Sequence, residues 1–186
     1  MGNIIWVVIA IIVLFVLYVI MAFNALVRGR NQVSEAWSDI ETHLKRRYDL
    51  IPNLVETVKG YVKHESETLE KVVQARSVAM SQSGGAENHT AAENALGRTL
   101  KSIFALSESY PDLKANQNFI ELQREITDTE DKIQASRRFY NSNVLALNSK
   151  IEMFPSNIIA GIFKFVRKPM FEVEAQEERQ NVKVQF

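Results

Sequence analysis

The segment Ile4–Ala22, IIWVVIAIIVLFVLYVIMA, constrains the fold more than any other part of the chain. Its nineteen residues carry no charge, and a helix of this length crosses the hydrocarbon core of a bilayer. A cleaved signal peptide would have a basic residue before a shorter apolar run, whereas only MGN precedes this one. We therefore predict an uncleaved transmembrane helix and assign residues 1–29 to a membrane anchor.

The charges that flank this segment predict its orientation. Only the α-amine precedes the apolar run, whereas Arg28 and Arg30 follow it closely and a basic run, Lys45–Arg47, comes a little later. Cytoplasmic flanks of transmembrane helices are enriched in Lys and Arg. We expect the amino terminus outside the membrane and the body of the protein in the cytoplasm.

Composition and motifs exclude several classes of function. Basic and acidic residues balance at 22 each and cysteine is absent, which argues against nucleic-acid binding, disulfides and thiolate metal sites. The three histidines are far apart, and no phosphate-binding loop or nucleophile motif is present. Without a clustered acid–base set, we predict no catalytic, cofactor or metal site, no nucleic-acid partner and no enzymatic activity.

Helical periodicity organises residues 30–154 into a predicted bundle. Apolar residues recur at steps of three and four from Val33 to Ala79, which predicts one amphipathic helix from Arg30 to Met80. Such a helix would be roughly 75 Å long, so it needs a kink or projects as a rod. SQSGG, Ser81–Gly85, marks the loop that ends it.

Two further helices complete this bundle. A medium helix is predicted in TAAENALGRTLKSIFALSES, closed by Pro111, and a long one starts near Asp112 or Asn116, either of which can cap it. The long helix carries its apolar face to Phe154 and pairs antiparallel with the first. The predicted fold is all-α: one amino-terminal transmembrane helix, then an antiparallel bundle of three long or medium helices plus a short carboxyl-terminal helix.

The stretch LKRRYDLIPNLVETVKGYVKHE, Leu44–Glu65, has a structural and a functional interpretation. In the first, Pro52 bends the helix and Lys45 and Arg46 face solvent. In the second, the kinked basic turn of Lys45, Arg46 and Arg47 docks an anionic headgroup or an acidic partner. A heptad count from Val33 places Arg47 on the apolar seam, where it needs a carboxylate; Glu130 is the predicted partner.

The carboxyl-terminal part of the chain is predicted to contain two elements. Residues 155–170 form a short apolar helix that caps the bundle or lies on anionic lipid, with Lys164, Arg167 and Lys168 as candidate lipid or partner contacts. Residues 171–186 form an acidic tail with two alternating pieces, Phe171 with Val173 and Val182 with Val184 and Phe186. These pieces add to a neighbouring chain as strands or stay disordered.

Three stretches resemble the LemA family of bacterial membrane proteins. They are RNQVSEAWSDIETHLKRRYDLIPNLVETVKGYVKHE, YPDLKANQNFIELQREITDTEDKIQASRRFYNSNVLALNSKIEMFPSNIIAG and FEVEAQEERQNVKVQF. The resemblance implies an anchored helical bundle in the bacterial cytoplasmic membrane, with its amino-terminal end outside. It implies no agreed biochemical activity and supplies no catalytic residues.

Two hypotheses about function remain. In the first, the protein is a membrane-anchored, non-enzymatic scaffold that forms a homo-oligomer, contacts lipid, and organises or shapes the membrane. In the second, it is a monomeric or dimeric adaptor that docks on another membrane protein, such as a protease or transporter. The mass of the detergent-extracted protein separates the two.

Overall fold

The computed structural model describes residues 2–171 of the chain, and these residues form six helices and no strand. The helices are α1 (Gly2–Lys59), α2 (Ser66–Ser81), α3 (Ala86–Ser107), α4 (Pro111–Lys114), α5 (Gln117–Glu152) and α6 (Ser156–Ile162). The predicted all-α fold with a long amino-terminal apolar helix is therefore confirmed. Apart from Phe171, the predicted tail pieces lie outside the described residues.

The first part of α1 has the surface expected of a membrane anchor. Among the described helices, α1 is the one long and apolar enough to cross a membrane. The side chains of residues 2–17 are exposed on every side of the helix, whereas the core helix of a soluble protein would bury one face. This single amino-terminal apolar helix supports anchoring of the protein in a membrane.

The predicted helix from Arg30 to Met80 is wrong, because α1 ends at Lys59 and α2 begins at Ser66. The backbone N–H groups of Tyr61 and Val62 both donate to the carbonyl of Val58, at 2.9 and 3.2 Å, and close the last turn of α1. Gly60 follows, and no side chain from position 59 to 68 is buried. Without a buried face, a helix has little to stabilise it there.

Pro52 lies inside α1, and the helix continues past it to Lys59. Its side chain is exposed, which matches a proline on the outer face of a helix. The bend that Pro52 is expected to cause by removing one backbone hydrogen bond stays a prediction.

The chain divides into two compact units, each described by itself. Unit 1 contains the chain up to Asp39 and Arg138–Met170. In this unit α1 and α5 run antiparallel, since the rings of Trp37 and Tyr140 are 5.7 Å apart and Gly29 lies against Leu147. A Cβ atom added at Gly29 would be 3.2 Å from Leu147 Cδ1, so the glycine lets the two helices approach closely.

Unit 2 contains Ile40–Arg137 and Phe171. Here α2 and α3 pack together as a helical hairpin, whose loop includes Gly84 at a φ of 106°. Of the two predicted caps of α5, Asp112 and Asn116, it is Asn116 whose Oδ1 accepts the backbone N–H of Phe119 at 3.0 Å. The fully buried apolar side chains of this unit come from five helices: Ile40, Ile51, Leu54, Val58, Val72, Leu96, Ile103, Leu113 and Ile133.

Candidate functional site

A guanidinium buried in unit 2 joins three helices. Arg47 of α1 contacts Glu93 of α3 through Nη2 and Glu130 of α5 through Nη1. The side chain of Arg47 is 1% exposed and that of Glu93 is 0% exposed, whereas Glu130 is half-buried. An arginine fork suits this arrangement, because its planar N–H groups can serve two carboxylates at once.

Tyr48 extends this contact to a fourth helix. Its hydroxyl donates a hydrogen bond to Oε1 of Glu93, and its backbone carbonyl accepts a hydrogen bond of 2.7 Å from Nε of Arg76 on α2. Burial raises the pKa of Tyr48 above its ordinary value, although the positive charges of Arg47 and Arg137 lower it. The phenol therefore stays protonated and donates to Glu93.

Arg137 of α5 is a second buried guanidinium in the same unit. Burial and the positive charge of Arg47 lower its pKa to about 10, while Glu130 and Tyr48 act in the opposite direction. Its Cζ lies 4.2 Å from the ring centroid of Phe171, a cation–π contact. Among the described residues its Nε and Nη2 have no hydrogen-bond partner.

Together Arg47, Glu93, Glu130 and Arg137 form what we call the buried charge cluster. Two positive and two negative side chains compensate one another, which lowers the cost of burying them. At a pKa of about 10, Arg137 keeps its proton at neutral pH and is not a general base. The cluster is chemically suited to holding α1, α3 and α5 in one arrangement rather than to proton transfer.

The predicted docking set around the basic turn needs one correction. Lys45 and Arg46 are exposed, as the docking interpretation requires, but Arg47 is fully buried. Because its guanidinium is already engaged with Glu93 and Glu130, Arg47 cannot contact an external anion. The structure brings Arg47 and Glu130 together and leaves Lys45 and Arg46 at the surface.

Among the charged neighbours of Arg46, acidic side chains outnumber basic ones. It lines an open depression of about 700 Å³ on α5, formed by Ile120, Glu121, Gln123, Arg124, Glu125, Thr127, Asp128 and Asp131. Hydrogen bonding to Lys132 lowers the pKa of Asp128, and the charge of Arg46 lowers it further. An anionic partner would meet these carboxylates next to Arg46, which disfavours anion docking at this turn.

The predicted cations of the carboxyl-terminal part, Lys164, Arg167 and Lys168, are all exposed in unit 1. Nε of Arg167 lies 2.9 Å from Oε1 of Glu152. The backbone of Lys168 is held by Asn148, whose side-chain amide donates to its carbonyl and accepts its N–H, both at 2.9 Å. The Lys168 side chain remains at the surface.

Unit 2 also has an apolar groove, which we call the α2 groove. It has a volume of about 780 Å³ and lies between the carboxyl-terminal end of α1 and α2. Its lining is Val55, Glu56, Lys59, Val62, Lys63, Glu65, Ser66, Leu69, Glu70, Val73, Gln74 and Ser77. No sequence pattern pointed to this surface, because the groove depends on the turn at 60–65 that ends α1.

Burial of His89 makes stability depend on pH in a direction that can be checked. Burial lowers the pKa of His89 below 6.5, and the charge of Glu41 opposes this. The unfolded chain then binds a proton more readily than the folded one, so stability should fall as pH drops through about 6.5. We expect urea unfolding midpoints to decrease between pH 7.5 and pH 5.5, and to decrease less in His89→Gln. Equal decreases in both proteins would contradict this.

Comparisons with known proteins support the resemblance to the LemA family. The profile of the LemA family matches residues 36–186. Protein LemA of Metamycoplasma hominis is 31% identical over 137 residues, which cover 74% of this chain and 63% of that protein. Magnetosome protein MamQ 2 of Paramagnetospirillum magneticum is 22% identical over 186 residues, which cover 87% of this chain and 68% of that protein. The chain spans less than two thirds of the first relative, and neither name states an enzymatic activity.

Proposed function

The chain belongs to the LemA family, and we propose on this premise that it is a membrane-anchored, non-enzymatic scaffold that self-associates into a homo-oligomer at the bacterial cytoplasmic membrane. The α2 groove is the observation that carries self-association. An anchor that confines the copies to two dimensions raises their effective concentration, which strengthens an assembly that the contact itself already supports. Such an assembly would organise or shape the membrane that holds it.

The membrane orientation in this proposal follows from the flanking charges. Arg28 and Arg30 are exposed on α1 just beyond the apolar segment, and Lys45 and Arg46 are exposed further along. This clustering of basic residues on the body side supports a cytoplasmic body and an amino terminus outside the membrane.

The apolar lining of the α2 groove supports a protein occupant. Val55, Val62, Leu69 and Val73 converge on the groove, and Val73 is 49% exposed. Met80, one heptad after Val73, extends the exposed apolar stripe along α2. Helices commonly bury such a stripe at i, i+7 spacing against a partner helix.

The charges around this groove favour a second copy of the same chain. Its rim carries Glu56, Glu65 and Glu70 together with Lys59 and Lys63. A surface with both signs of charge can pair with itself in a two-fold symmetric contact, because each acidic group can face a basic group of the partner. We propose that α2 of one copy packs beside the groove of the next.

Cross-linking in native membranes tests this contact. The chain has no cysteine, so the single-cysteine variants Val73→Cys and Val78→Cys report one position each. Both positions lie on α2 and are similarly exposed, at 49% and 46%, but Val78 does not line the groove. With a short bismaleimide we expect a dimer band for Val73→Cys that is several-fold stronger than for Val78→Cys. Equal yields, or none at Val73→Cys, would contradict the groove contact.

A further inference from the structure

An apolar surface of unit 1 is exposed around α6. Helix α6 buries only Ile159 and Ala160, while the side chains around it face outward. The exposed apolar residues are Met153, Phe154, Ile158, Ile162, Phe163 and Val166. A contiguous apolar surface of this kind marks a membrane or protein contact.

Contacts with α1 place this surface at the end of the transmembrane segment. The ring of Phe163 lies 4.6 Å from the ring of Phe23, and that of Phe165 lies 6.0 Å from it. Phe23 follows directly after Ala22, the last residue of the predicted span. The exposed apolar residues of α6 therefore lie at the level where α1 leaves the hydrocarbon core.

The segment after α6 is held to unit 1 by contacts that leave the apolar surface exposed. Arg30 Cζ lies 5.7 Å from the ring centroid of Phe165, and the Tyr140 hydroxyl donates to the Pro169 carbonyl at 3.0 Å. Asn148 holds the backbone of Lys168 through two hydrogen bonds. These contacts fix the height of α6 along α1 without covering its outer side.

The charged residues between Met153 and Phe171 are all basic. From Met153 to Phe171 the sequence has no Asp or Glu and contains Lys164, Arg167 and Lys168, all of them exposed. Apolar side chains beside Lys and Arg are the composition of segments that lie in the interface of anionic membranes.

From this juxtaposition of an exposed apolar α6, three cations and the end of the span, we propose that residues 153–168 lie in the headgroup–acyl boundary of the bilayer that α1 crosses. The apolar side chains enter the acyl region, and the three cations contact anionic headgroups. This interfacial contact of residues 153–168 sets the tilt and depth of α1 in the bilayer. This inference does not depend on self-association.

Depth-dependent quenching in the full-length protein tests the proposed membrane contact of residues 153–168. Ile162→Cys and Phe139→Cys place a fluorophore at apolar positions that are 66% and 58% exposed in unit 1. Phe139 adjoins Tyr140, which contacts Trp37, fourteen residues beyond Phe23 and roughly 20 Å further along α1. In vesicles of phosphatidylcholine and phosphatidylglycerol with brominated acyl chains, we expect the label at position 162 to be quenched at least three-fold more than the label at position 139.

The possible results decide between lipid and protein as the occupant of this surface. Equal quenching at both positions would overturn the proposal. Shielding of Ile162→Cys from brominated lipid, together with cross-linking between copies at that position, would instead show that a second copy covers α6 and would also overturn it. Phe154→Cys gives an independent reading at a second exposed position.

A charge-removal variant tests the anionic headgroup. In Lys164→Gln, Arg167→Gln, Lys168→Gln, added to Ile162→Cys, we expect quenching to fall at least two-fold in vesicles with phosphatidylglycerol. In vesicles of phosphatidylcholine alone, the same triple change should have no effect. A similar fall in both vesicle types would contradict the headgroup contact.

Discussion

Replacing Arg47 with methionine should lower the free energy of unfolding by about 3–5 kcal/mol, whereas the same change at the adjacent Arg46 should alter it by less than about 0.5 kcal/mol. Arg47 is buried between Glu93 and Glu130, so its loss leaves two carboxylates with Arg137 as the remaining cation of the cluster. Methionine fills a similar volume, which limits the contribution of a cavity. Arg46 is exposed, so its removal leaves no buried charge without a partner.

Urea unfolding followed by circular dichroism, with the full chain in mild detergent, measures both variants. Arg46→Met serves as the matched control, since it removes the same side chain from the next position of the same helix. Equal stability of the two variants would mean that the buried charge cluster contributes nothing to the stability of the fold.

Adding Glu93→Gln to Arg47→Met should restore at least half of the stability that Arg47→Met loses. The single variant leaves a net negative charge in the cluster, and the double variant leaves Glu130 with Arg137. Glutamine also keeps an acceptor for the Tyr48 hydroxyl, which bonds Glu93 in the native protein. Partners in one buried network deviate strongly from additivity, so the double variant should be more stable than Arg47→Met alone.

The four-protein cycle of native chain, Arg47→Met, Glu93→Gln and the double variant gives the coupling energy between the two side chains. We expect a coupling of about 2–3 kcal/mol in favour of the pair. If the two losses simply add, Arg47 and Glu93 act independently, and the cluster is not one compensated unit.

Local pattern predicted the elements of this fold well. The length and lack of charge of Ile4–Ala22 predicted the anchor, and Asn116, one of the two predicted caps, lies at the start of α5. The helix predicted for residues 155–170 begins at Ser156 but already ends at Ile162. Each of these signals acts within a few residues, so no tertiary information is needed to recognise it.

The end of α1 could not be predicted in the same way. The apolar positions Val58, Val62 and Leu69 keep helical spacing across the turn, so periodicity alone continues the helix. The chain instead turns back after Gly60, because packing α2 against α3 buries Leu69 and Val72. Tertiary packing here overrides a local preference, and the α2 groove exists only as a result of that turn.

The buried charge cluster was partly accessible from the sequence. The heptad position of Arg47 predicted a carboxylate partner and pointed to Glu130, which the structure places against it. Glu93 was missed, although a step of three back from Leu96 places it on the buried face of α3. Arg137 was also missed, although steps of three and four from Glu130 through Ile133 reach it on the buried face of α5.

The mass of the full-length protein, extracted in mild detergent and measured by light scattering and single-particle imaging, tests the scaffold most directly. The chain has a mass of 21.2 kDa. We predict a uniform particle of more than two copies, in which the groove contact is one of the interfaces, and a smaller particle in Val73→Glu but not in Val78→Glu. A particle holding only one or two chains at every protein concentration would contradict the scaffold and favour the adaptor.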